Sequence, residues 1–125
     1  MIHYKEIAFT AYPVTRMARA RKFYEKVLGL KSNGFATGRN PKFIEYSIGS
    51  GTLAIGSSPM WKPSMHGPTA ALEVRDFDAA VAQLKRHRVK FIKGPFDFPR
   101  CRMVAFRDPD GNQISLHQRK RPRGK

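Results

Sequence analysis

The sequence predicts an α+β domain made of two βαβββ modules. Three observations carry that expectation. Val14 and Val74, 60 residues apart, each precede a stretch with helical periodicity. Each helical stretch has one strand-like run before it and three after it, rich in β-branched and aromatic residues. A chain of 125 residues suits one packed domain. Half of it cannot cover its own sheet, so the two halves must pack together.

Module one, about residues 5–56, opens on the strand IAFTAY (7–12). In the helix that follows, Met17, Ala20, Tyr24, Val27 and Leu28 form one apolar stripe, with Arg19, Lys22 and Lys26 opposite. Thr15 is available as an N-cap, although Arg16 opposes the helix dipole, and Gly29 suits a left-handed C-terminal cap. A weak strand near Leu30–Thr37 is followed by FIEYSI (43–48), a turn around Ser50–Gly51, and TLAIG (52–56). The Pro- and Gly-rich stretch 57–68, which holds Trp61, reads as the linker between modules. Trp61 either closes over the binding face or packs on its own loop.

Module two, about residues 68–118, begins with TAALEV (69–74). Asp76 is a good N-cap, Asp78 favours the helix start, and Phe77, Ala80, Val81 and Leu84 form the stripe. This helix ends near Arg88 with no glycine to terminate it, and a left-handed residue there costs about 1 kcal/mol. The strands VKFI (89–92), CRMVAF (101–106) and QISLH (113–117) complete the module, the last two joined through DPDGN (108–112).

Composition bounds the function. Lys and Arg number 24 against 9 Asp and Glu, and without residues 119–125 the balance is still 19 against 9. Such a field favours anionic partners. The tail RKRPRGK (119–125) is expected to be disordered and to supply non-specific polyanion or nucleic-acid binding as an alternative role. The single Cys101 forms no internal disulfide and suits a reducing compartment. No apolar run approaches the roughly 18 residues of a membrane span, and MIHYKEIAF has no signal-peptide core, so a cytoplasmic location is expected. His3, His66 and His87 share no metal-binding spacing.

FYEKVLGL (23–30) at the end of the first helix and FRDPDGNQISL (106–116) near the C-terminus carry a resemblance. In this layout the chain resembles, over about residues 5–118, the vicinal oxygen chelate superfamily of glyoxalases, bleomycin-resistance proteins and extradiol dioxygenases. The resemblance implies a cupped mixed sheet with helices on its outer face, a small-molecule ligand inside, and a homodimer. Metal-using members place His or Glu ligands on the first and last strands of both modules. The matching positions here are Phe9, Ala54, Thr69 and Ser115. None is a useful ligand for a divalent ion, so neither metal nor cofactor is expected.

Strand alternation then selects the lining of the cup. It comprises Phe9, Phe43, Glu45, Ser47 and Ala54 from module one, and Thr69, Glu73, Arg102, Val104, Ser115 and His117 from module two. Arg102 and Val104 depend on a turn that pairs Arg107 with Asn112, which sets Ser115 opposite Val104 and His117 opposite Arg102, with Phe106 as a further wall. His117 and Glu45 are the candidate general acid–base groups. Three functions follow in order: a metal-independent binder of a small neutral or anionic ligand, with anionic groups near Arg102; an enzyme such as a lyase, isomerase or dioxygenase using His117 or Glu45; and a polyanion binder.

Overall fold

A computed structural model describes residues 1–34 and 40–120. The chain divides into two compact units, Met1–Pro63 and Ser64–Lys125. The second follows the expected order of elements, and the first does so except for the weak strand after its helix.

In the first unit, β1 (Thr10–Pro13) runs parallel to β3 (Gly51–Gly56), which pairs antiparallel with β2 (Phe43–Ile48). β1 is shorter than the sequence suggests. Its partner β3 begins at Gly51, directly after the turn, and hydrogen-bonded pairing starts only at Thr10↔Leu53. Of the weak strand expected at Leu30–Thr37, one bridge is seen, Ser32↔Tyr46, and residues 35–37 lie outside the described residues. The β2–β3 turn is Gly49–Ser50, one residue earlier than expected, with Gly49 at φ 57° and Ile48 opposite Gly51.

α1 spans Met17–Lys22 and continues as a π-helical turn over Phe23–Val27. The wide turn is closed by Leu28 N donating to Phe23 O at 3.1 Å, and Leu30 N donates to Tyr24 O at 3.0 Å. Gly29 takes the left-handed conformation its position predicts, φ 73°. Two consecutive residues of the π turn reach the same partner. The Tyr24 ring stacks on Tyr46 with centroids 6.0 Å apart, and Glu25 Oε2 accepts a hydrogen bond from the Tyr46 hydroxyl at 2.9 Å. Arg21 Nε donates to the same carboxylate oxygen at 2.7 Å. Burial and the bond to Glu25 push the Tyr46 hydroxyl well above the ordinary tyrosine range. The expected cap from Thr15 is not made. Arg16 is the N-cap residue, without a side-chain cap, and the Thr15 hydroxyl instead accepts from Arg19 Nη2 at 3.3 Å.

The second unit holds β4 (Ala70–Glu73), α2 (Phe77–Arg86), β5 (Phe91–Asp97), β6 (Cys101–Arg107) and β7 (Gln113–Arg119), in sheet order β4-β7-β6-β5. Asp76 caps α2 as predicted, its Oδ1 accepting from Ala79 N at 3.0 Å. Gln118 of β7 adds a second cap: its Oε1 accepts from Phe77 N at 2.8 Å and its Nε2 donates to Arg75 O at 2.9 Å. Phe77 and Leu84 are each 1% exposed, and burying such side chains is worth about 1.5–3 kcal/mol apiece. The helix ends in a paired closure, Arg88 N to Lys85 O and Val89 N to Leu84 O, both 3.0 Å. This geometry demands a left-handed residue, and Arg88 supplies it at φ 59°.

β7 extends through Arg119, and Lys120 N donates to Arg100 O at 2.9 Å, so the first two residues of the basic tail belong to the fold. Residues 121–125 lie outside the described residues. Among the described residues no helix is long and apolar enough to cross a membrane.

Candidate functional site

Each sheet has one face packed by its helix and one face free of it. In the first unit Tyr24 of the π turn stacks on Tyr46, so the helix side carries Ile44, Tyr46, Leu53 and Ile55, all buried. Alternation puts Phe43, Glu45 and Ser47 on the other face, where the register sets them opposite Gly56, Ala54 and Thr52. Phe9 joins them. It precedes β1, is half-exposed, and meets Phe43 edge to face with centroids 6.0 Å apart. The five module-one residues expected on this face therefore share it.

Two further residues complete that face. Asn33 Nδ2 donates to Glu45 Oε1 at 3.2 Å and lies 3.4 Å from Ser47 Oγ, while Asn33 N donates to Glu45 O at 3.0 Å. Asn33-Gly34 is a turn signal in the sequence, but nothing local says which strand the amide would reach. Trp61 closes the other end. A Cβ built on Gly56 would sit 3.0 Å from the indole Cζ3 and 3.1 Å from Phe43 Cδ1, so the glycine makes room for both rings.

In the second unit the register overturns one expectation. Arg107 pairs with Gln113, not Asn112, because DPDGN forms a five-residue loop. The Asp108 carboxylate, 4% exposed, accepts from Asp110 N and Asn112 N through Oδ1 and from Asn112 Nδ2 through Oδ2, each at 2.9 Å. Asp108 N also donates to Asn112 O at 2.9 Å. These bonds draw Asn112 out of the strand and into the loop. Ser115 therefore lies opposite Ala105 and His117 opposite Met103. Arg102, Val104 and Phe106 consequently fall on the helix side, not on the face expected to line the cup. Arg102 lies over the Phe77 ring of α2, 4.6 Å from its centroid, and its Nη2 donates to Asp78 Oδ1 at 2.9 Å. Val104 and Phe106 are 0% exposed.

The helix-free face of this unit instead carries Met103, Ala105 and Arg107 of β6 beside Gln113, Ser115 and His117 of β7. Lys93 of β5 pairs with Ala105 and shares that side. Thr69, Ala71 and Glu73 flank β7, Ala71 opposite Ser115 and Glu73 opposite His117. The Thr69 and Ser115 hydroxyl oxygens are 3.1 Å apart. His117 Nδ1 is 2.6 Å from Glu73 Oε1, and Arg119 N donates to Glu73 Oε2 at 2.6 Å. Burial pushes the Glu73 carboxyl up, but the Arg119 amide and His117 outweigh it, so its pKa falls below the ordinary 4.5. A carboxylate on Nδ1 favours the Nδ1–H form of a neutral imidazole, which gives Nε2 the acceptor role.

Among the described residues no three His, Cys, Asp or Glu side chains are grouped closely enough to hold a metal ion. Of the four positions that the resemblance matches to metal ligands, Phe9 and Ala54 lie in one unit and the paired hydroxyls of Thr69 and Ser115 in the other.

The profile of the Glyoxalase/Bleomycin resistance protein/Dioxygenase superfamily matches residues 6–116. The chain belongs to this superfamily. Solved structures of the superfamily's fold agree with the observed architecture. One similar structure is TnmS3, an antibiotic binding protein from Streptomyces sp. CB03234, at 25% identity and a TM-score of 0.77, with 96% of this chain and all of that one (100%) covered. A glyoxalase/bleomycin resistance protein from the same Streptomyces strain is 27% identical with a TM-score of 0.73, over 90% of this chain and 100% of that one. A glyoxalase/dioxygenase from Nostoc punctiforme shares the fold at 22% identity and a TM-score of 0.75, covering 94% and 92% of the two chains. No curated protein matches the chain significantly.

Proposed function

We propose that this superfamily member binds a small neutral or anionic molecule on the helix-free faces of its modules, without a divalent metal. One observation carries the reading. The four positions that the resemblance matches to metal ligands hold a phenyl ring, a methyl group and two hydroxyls 3.1 Å apart, a set with no charge and no imidazole to offer a cation. The similarity to an antibiotic binding protein supports a binding role. The ligand's charge is argued from the protein's own. The chain carries +15, and with Arg102 turned to the helix side, Lys93, Arg107 and Arg119 are cations on the same face as Ser115 and His117. Phe9 and Phe43 supply the apolar contact, and Glu45, Ser47, Glu73 and Gln113 supply hydrogen bonds.

Calorimetry tests the charge. A cationic glycopeptide antibiotic at moderate salt gives no measurable binding heat on this reading, and tight binding overturns it. Elemental analysis of untagged protein tests the metal. One firmly held divalent ion per chain sinks the metal-free assignment.

A second reading rests on the His117–Glu73 contact at 2.6 Å. A histidine oriented by a carboxylate through Nδ1 is equipped to take a proton at Nε2, as a general base in an isomerase or lyase. On an identified substrate, His117→Ala then lowers kcat by about a hundredfold or more. Unaltered turnover in that variant removes the enzymatic reading and leaves the binding one.

A further inference from the structure

A hollow of about 530 Å³ lies within Met1–Pro63, and of the residues expected on the ligand face none lines it. It opens past the ends of β1 and β3, where Val14 N donates to Gly56 O at 2.8 Å. Val14, 1% exposed, contributes an apolar base, and the Trp61 ring, 38% exposed, forms one wall. Lys42, Lys62, Thr15, Ser57 and Ser58 supply the polar lining, and among the described residues no carboxylate lines it. The volume is that of a small-molecule site, about 300–1,000 Å³.

The aromatic wall is placed deliberately by the chain. Any residue larger than glycine at 56 would make the indole give by a few tenths of an ångström, since a Cβ there meets Cζ3 at 3.0 Å. Trp61 N also donates to Ser58 O at 3.2 Å, which holds the loop in its turn beside the hollow. A hollow lined by an indole and two lysines selects for a flat apolar body with one negative end. The ring stacks on the indole, and the anionic end takes charge-assisted hydrogen bonds from the lysines.

We propose that this hollow, which shares only Trp61 with the helix-free face of its unit, is a second ligand site and that it takes an aromatic carboxylate. The site does not rest on the ligand proposed for the helix-free faces. Trp61 is the single tryptophan of the chain, so its indole N–H gives one unique signal in a proton–nitrogen NMR spectrum.

Titration with 2-naphthoate is expected to shift that signal saturably, with a Kd between about 10 μM and 1 mM. The neutral isostere 2-naphthamide, and separately the exposed-site double variant Lys42→Ala/Lys62→Ala, weaken binding about tenfold. Glu45→Ala and His117→Ala leave the titration unchanged. A titration with no saturable shift up to about 5 mM overturns the site. So does equal affinity for the neutral isostere, or full retention in the double lysine variant. Loss of the shift in Glu45→Ala or His117→Ala also overturns it, because the ligand then sits on the helix-free faces. That outcome would favour the ligand-binding reading above, so the two proposals fail separately.

Discussion

The two helices carry opposite faults. α1 starts badly and ends well. Arg16 occupies its N-cap position with no side-chain cap and no acidic residue follows in the first turn, whereas Gly29 closes it at φ 73°. α2 starts well and ends badly. Asp76 and Gln118 satisfy its first amides, whereas Arg88 is forced to φ 59°. Both helices form in full. Packing covers each local fault: Tyr24 against Tyr46 holds α1, and Leu84, 1% exposed, pins the last turn of α2. A cap decides where a helix begins or stops, while the buried stripe decides that it exists.

The largest test unmakes the good start. Asp76→Ala combined with Gln118→Ala removes both caps of α2 and is expected to cost about 2 kcal/mol, read as a lower midpoint in chemical denaturation. If packing alone holds the start of α2, the midpoint stays put and the comparison fails. Next, Gly29→Ala damages the good end of α1. A Cβ there meets nothing within 4 Å, so the expected loss of about 1 kcal/mol is purely backbone strain. Repairing the bad end of α2 is the converse, and Arg88→Gly is expected to gain about 1 kcal/mol in the same denaturation assay. The smallest effect repairs the bad start of α1. Arg16 already has the extended backbone of an N-cap, φ −128° and ψ 103°, almost that of Asp76 at −131° and 96°. Arg16→Asp should therefore raise stability by about 0.5 kcal/mol without moving the fold, visible as a higher melting temperature. A fall in stability would mean that Arg16 is held for a reason other than the helix.

Much of this architecture was legible in the residues. The stripes of both helices, the Asp76 cap, the left-handed strain at Arg88 and the membership of the first module's free face all follow from periodicity and local conformation. What misled was a loop length. In the first module the turn takes two residues, so alternation carries from β2 into β3 and the faces come out as expected. In the second module the choice between a four- and a five-residue loop rests on the side chain of Asp108 reaching Asn112 N. That contact moves Arg102 and Val104 to the opposite face, and no periodicity in β6 or β7 reveals it. Asn33 and Gln118 were missed for a related reason. Each is a polar residue whose partner is distant in sequence, Glu45 for one and Phe77 for the other.

The Asp108–Asn112 loop has a consequence for how such chains can change length. Surface loops ordinarily absorb insertions and deletions at little cost. Here the loss of one residue would act as a frameshift does in a coding sequence. Every residue downstream would keep its identity and acquire its neighbour's position. With the five-residue loop kept, Ile114 and Leu116 would be presented where Gln113 and Ser115 now stand, and the helix-free face would be rewritten without a single substitution on it.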